Sequence, residues 1–194
     1  MRKSFHRRPM GSGLGAALAL CLGLLVAAPA SATDKGFEIR GGILAHDAGL
    51  FSSPKENGVD LNAELLFPSP ALLGFLGSPR PHIGGNLASD GISFGYAGLA
   101  WDWSLTRSWF VTASFGGAIH DADQLTEDDL RPGQRESSVR LLGCQALFHL
   151  ALGLGYQLTE AVNVHLYADH ISNATLCDKN EGLENAGIRL GYEF

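Results

Sequence analysis

Residues 141–159 read LLGCQALFHLALGLGYQLT, a stretch without a charged side chain and long enough to be proposed as a membrane helix. Its parity points elsewhere. The even positions Ala146, Phe148, Leu150, Leu152, Leu154, Tyr156 and Leu158 are all apolar, while the odd ones include His149, Gly153, Gly155 and Gln157. Alternation with period two marks a strand with one apolar face. The same rhythm recurs outward from this stretch, between clusters of Gly, Pro, Asn, Asp and Ser. Seven further segments stand out: 36–45, 58–67, 81–88, 93–103, 108–118, 161–171 and 185–194.

Eight alternating strands of roughly ten residues suit a tilted crossing of a bilayer, and an even number closes the sheet without a free edge. The expected fold is all-β, an eight-stranded antiparallel transmembrane β-barrel. Periodicity alone does not say which face looks inward. The polar set does: Glu38, Arg40, Asp60, Glu64, His165, Asp169, Arg189 and Glu193 are too polar for a dry core, so they belong inside and the apolar face meets lipid. The last strand ends in Phe194 and is similar to the assembly signal of bacterial outer-membrane proteins. With both termini periplasmic, the connections 104–107 and 159–160 are tight inner turns, whereas 47–57, 119–137 and 172–184 are longer outer loops. Residues 68–80 break the pattern with three prolines and the apolar run Ala71–Leu76, expected to rest on the inner rim of the membrane.

Residues 1–32 read as a signal peptide and 33–194 as the mature barrel. Arg2, Lys3, Arg7 and Arg8 precede an uncharged Leu/Ala-rich stretch from Leu14 to Ala28, and Ala30-Ser31-Ala32 offers a cleavage site after Ala32. The net charge of −6 hides this split: without those four basic residues, 10 of the 14 face 20 acidic ones. Such a balance excludes a nucleic-acid partner, which needs a basic face. Export exposes the chain to an oxidising compartment, where Cys144 and Cys177 are able to pair.

In the seventh segment Asn163, His165, Tyr167 and Asp169 point one way; His170 and Ser172 continue the opposite, lipid-facing set. Glu184 continues the lipid-facing set of the eighth segment backward from Ala186. A histidine, a serine and a carboxylate thus converge on the outer wall at the rim of the barrel, where unpaired polar groups are costly. They are the groups of acyl transfer: an imidazole takes the serine proton, and a carboxylate holds the imidazole in the useful tautomer.

The run His170-Ile171-Ser172-Asn173-Ala174, followed by Asn180-Glu181-Gly182-Leu183-Glu184 and an aromatic-ended strand, closely resembles the lipid A 3-O-deacylases, an outer-membrane acyloxyacyl hydrolase family. The motif spans about the last 25 residues. The resemblance implies a Ser-His-Glu esterase in the bacterial outer membrane acting on lipid A of lipopolysaccharide. Ser172 is then the nucleophile, His170 the base, Glu184 its orienting acid, and Asn173 with the adjoining backbone N–H groups the oxyanion donor. Thr175 departs from a glycine common in the family, and Cys177 and Asp178 lie in a variable loop. Glu181 competes as the acid, but its odd parity marks it as a solvated loop residue.

His46-Asp47 and His120-Asp121-Ala122-Asp123 complete no metal set of recognisable spacing and are expected to be exposed loop polars. The acidic run 121–129 reads as a solvated outer loop. No cofactor is expected. Trp101, Trp103 and Trp109 flank an inner turn as an interfacial girdle; His149 and His165 belong to a polar lumen network. The alternatives left open are a non-enzymatic barrel with a structural or adhesive role and a soluble periplasmic lipid-binding barrel.

Overall fold

A computed structural model describes residues 35–50, 53–122 and 140–194. The signal peptide and most of the acidic run 121–129 lie outside them. Eight strands follow one another in chain order: β1 (Glu38–Ala45), β2 (Val59–Leu66), β3 (Arg80–Ala88), β4 (Phe94–Ser104), β5 (Trp109–His120), β6 (Ala146–Gln157), β7 (Val162–Ser172) and β8 (Leu183–Glu193). Each pairs antiparallel with the next, and β8 returns to β1 with Glu38 opposite Glu193 and Ala45 opposite Ala186. Closure removes every sheet edge, which lipid would leave without hydrogen-bond partners.

The alternation sorts the faces as expected. Ile39, Ile43, Leu61, Leu87, Phe115, Leu152, Leu166, Ile188 and Leu190 are exposed on the outer wall, while Glu38, Arg40, Asp60, Glu64, His165 and Arg189 are buried inside. Those buried charges are paired. Glu38 accepts from Arg40 at 2.8 and 3.0 Å and from Arg80 at 2.6 Å; Glu64 lies 3.1 Å from Arg189 and 2.8 Å from His82. The Arg189 guanidinium also stacks on Tyr167, 3.4 Å from the ring centre. His165 meets Asn163 at 2.5 Å, and His149 stacks on Tyr96 with ring centres 4.1 Å apart. The lumen is a packed ionic and aromatic network, as the narrow bore of an eight-stranded barrel demands.

It is not polar throughout. At the end bearing the long loops, Ile92, Phe94, Tyr96, Ala118, Leu142, Leu147, Ile171 and Leu183 form an apolar cluster that plugs the barrel. This cluster explains the main departure from the sequence reading. The sixth strand starts at Ala146, not Leu141: Gly143 takes φ +76°, and Leu141 and Leu142 leave the sheet and are buried, Leu142 in the plug. A Cβ on Gly143 would also strike the Lys179 carbonyl, so only glycine turns the chain there. Cys144 and Cys177 are joined as a disulfide, tying this segment to the β7–β8 loop. At the opposite end, the β2–β3 connection carries a 3-10 turn, η1 (Ala71–Leu76). No helix among the described residues is long and apolar enough to cross a membrane.

Candidate active site

The end of β7 and the start of β8 lie side by side, with His170 directly opposite Glu184 and Ile171 opposite Leu183. Ile171 and Leu183 point into the apolar plug and are fully buried. Because side chains alternate across a strand, anchoring these two inward fixes their neighbours His170, Ser172 and Glu184 outward. His170 Nδ1 is 3.1 Å from Glu184 Oε1. With the proton on Nδ1, the ring donates to the carboxylate and leaves Nε2 as the basic nitrogen. Glu184 is buried and the His170 side chain is 28% exposed, so the pair runs from a sheltered acid to an accessible base. Ser172 shares the outward face, one β-pleat repeat or about 6.8 Å further along the strand.

Below the imidazole lies Gly182, where a Cβ would fall 2.3 Å from His170 Cε1. A glycine in a loop reads as a bend, so the sequence carried no sign of this role.

Two outer segments hold that backbone from behind. Arg140 donates to the Gly182 carbonyl and, at 2.5 Å, to Asp47 Oδ2. Asp47 N donates to Asn185 Oδ1 at 3.1 Å, and Ala48 N to the Glu184 carbonyl at 2.6 Å. Burial alone would raise the Asp47 carboxyl; the Glu56 and Lys55 N–H groups and the Arg140 guanidinium hold it below the usual carboxylate range. His46 beside it is buried between Asp60 and Glu56, 2.8 Å from each. Burial pushes this imidazole down, but those two hydrogen bonds and charges outweigh it and lift the ring to about 9. His46 and Asp47 are therefore buried scaffold, not exposed loop polars. His120 is buried too, its Nε2 2.7 Å from the Cys144 carbonyl. Asp123 lies outside the described residues, and no cluster suited to a metal occurs among those described.

Glu181 has two other partners. Its carboxylate accepts from Lys55 Nζ at 2.6 Å and from Leu141 N at 2.7 Å, so it clamps the loops together instead of lying solvated. Asn173 is buried, with its backbone N–H on Asn180 Oδ1 at 2.8 Å and its amide donating to the Leu142 and Lys179 carbonyls. The chain then turns sharply: Ala174 and Thr175 take φ 53° and 66°, and Leu176 N donates to the Asn173 carbonyl at 3.0 Å.

A closed barrel of eight strands, charged within and apolar without, defines a bacterial outer-membrane β-barrel. Solved structures similar to it include that of the outer membrane enzyme PagL (TM-score 0.55, 15% identity, covering 81% of this chain and 99% of that one). Others are the N-terminal barrel domain of Pseudomonas aeruginosa OprF (0.54, 12%, 83% and 98%) and Neisserial surface protein A (0.51, 11%, 84% and 99%). At such identities the likeness concerns the fold. The model of the family described as "Lipid A 3-O-deacylase (PagL)" matches residues 80–193, more than half of the chain, and the protein belongs to that family. No curated protein matches it.

Proposed function

We propose that the protein removes the 3-O-linked acyl chain of lipid A by a Ser-His-Glu mechanism at the outer wall of the barrel. The family assignment supports lipid A deacylation, an ester hydrolysis. The observation that carries the mechanism is the His170–Glu184 contact on the same outward face as Ser172. His170 Nε2 takes the Ser172 proton as Oγ attacks the ester carbonyl, and Glu184 stabilises the imidazolium that forms. The imidazolium then protonates the departing 3-hydroxyl of the sugar, and water, activated in the same way, releases the fatty acid. The negative oxygen of the tetrahedral intermediate needs donors beside Ser172. Asn173 spends its own amide on carbonyls, so we assign it to holding the turn whose backbone N–H groups, at Ala174 and Thr175, meet that oxygen. A site facing sideways suits a substrate that stays in the membrane.

Mass spectrometry of lipid A incubated with the purified barrel tests the reading. Loss of one 3-hydroxyacyl group at the 3 position, absent with Ser172→Ala, is expected. Unchanged lipid A with correctly folded protein would favour a structural barrel.

A further inference from the structure

We propose that η1 is a membrane foot: a rigid apolar turn that lies in the phospholipid leaflet at the short-turn end of the barrel, against the outer wall.

None of its six residues is buried against the protein. Phe75 and Leu72 are 83% and 72% exposed, the former more than any residue of the barrel's own lipid-facing belt. The whole connection from Phe67 to Pro79 contains no charged side chain, and serines 69 and 78 are its only polar ones. An apolar projection of this kind is unfavourable in water and marks a surface meant to be covered.

Its position identifies what covers it. Trp101 stands on the lipid-facing side of β4, since its neighbour Ala100 is buried in the lumen. The Trp101 indole donates to the Leu76 carbonyl at 2.9 Å. The turn is therefore folded back along the outside of the wall and does not hang beneath the mouth of the barrel. Trp101 is three residues from the end of β4 at Ser104, about 10 Å along the strand, and tryptophan is enriched at membrane interfaces. At the same end the aromatic belt continues through Phe37 and Phe67, edge to face at 5.7 Å, and through Tyr192 and Phe194 at 5.0 Å. Phe75 and Leu72 extend that belt outward from the wall. By the rule that the short turns of such barrels face the periplasm, the leaflet is the inner one, built of phospholipid.

The foot is also held in shape. Leu73 N donates to the Pro70 carbonyl, Ser78 N to the Leu73 carbonyl and Phe67 N to the Pro81 carbonyl, all within 3.1 Å. Arg80, at its exit, donates to the Phe67 and Gly36 carbonyls. A turn so fixed presents its apolar side chains at one depth.

Phe75→Cys and Leu72→Cys test this, each labelled with bimane in the oxidised protein, whose Cys144 and Cys177 are already bonded. Leu152→Cys on the middle of the wall and Asp90→Cys in an outer loop serve as references. The proteins are reconstituted into phosphatidylcholine vesicles carrying a nitroxide either near the headgroup or near the chain end, and iodide is added to the water. Probes at 72 and 75 should be quenched more by the shallow nitroxide than by the deep one, in the order opposite to that at Leu152, and several-fold less by iodide than at Asp90. Iodide quenching equal to that at Asp90 overturns the proposal. So does shelter from both quenchers with probe self-quenching that grows with the protein-to-lipid ratio, which would show that a second copy covers the turn. None of these readouts depends on deacylation.

Discussion

Gly182→Ala separates catalysis from folding at this site. The added methyl would lie 2.3 Å from His170 Cε1, 3.0 Å from Nε2 and 3.2 Å from Nδ1, against 3.4 Å for ordinary contact. The ring must swing away by about 1 Å, and this it can do, because it is the far end of a flexible side chain on the outer wall. The φ of Gly182 lies outside the left-handed region, so alanine adds no backbone strain. The barrel should keep its fold, but the 3.1 Å contact to Glu184 is lost, and with it the ring position that the proposed proton transfer from Ser172 requires. Misplacing a catalytic group by about 1 Å costs roughly 100-fold, equivalent to about 2.7 kcal/mol of transition-state stabilisation. The substitution moves the base and leaves the apolar outer wall as it is, so the loss should fall on kcat with KM little changed. The assay is the initial rate of 3-hydroxy fatty acid release from lipid A in detergent, beside heat-modifiable migration on a gel as the measure of folding. A folded Gly182→Ala barrel working at the wild-type rate would refute the placement of His170 as the base.

Ser172→Ala and His170→Ala should each abolish deacylation, and their combination should be scarcely worse than either; Glu184→Ala should lower the rate far more than Glu181→Ala, and equal losses would unseat Glu184. Thr175 places a β-branched side chain at φ 66°, so Thr175→Gly should stabilise the protein by about 1 kcal/mol after glycine's entropy is counted; an unchanged urea midpoint would show no strain there. Opening the Cys144–Cys177 bond, which closes a loop of 33 residues, should cost about 3–4 kcal/mol in the chain-entropy model, read as a lower unfolding midpoint under reductant. His46, raised to about 9 from an ordinary value of 6.5, stabilises the outer loops fully below about pH 6.5, and that contribution fades as pH rises through 9. The protection of amides 46–50 and 53–56, taken relative to the intrinsic exchange rate at each pH, should fall across that window in the native protein and not in His46→Gln; an identical pH profile in both would contradict it.

What could be read from the sequence was whatever repeats. Parity alone separated Glu38 and Arg40 from Ile39, and it carried His170, Ser172 and Glu184 to one face although 170 and 184 belong to different strands. Parity was silent wherever the chain leaves the sheet. Leu141 and Leu142 have the hydropathy of strand residues, and only the left-handed Gly143 turns them out of the sheet, Leu142 into the plug. Arg140 meets Asp47 across 93 positions of sequence, and Glu181 meets Lys55 across 126, so no local pattern announces either pair. Yet these unperiodic contacts decide the site as much as the strands do. The strands give His170 and Glu184 their opposed register; the loops determine where the Gly182 backbone lies beneath the imidazole. Lipid cannot supply that support, because it offers the outer wall neither donors nor acceptors. A polar site on that wall therefore has to be built at the rim, where folded loops reach the ends of β7 and β8.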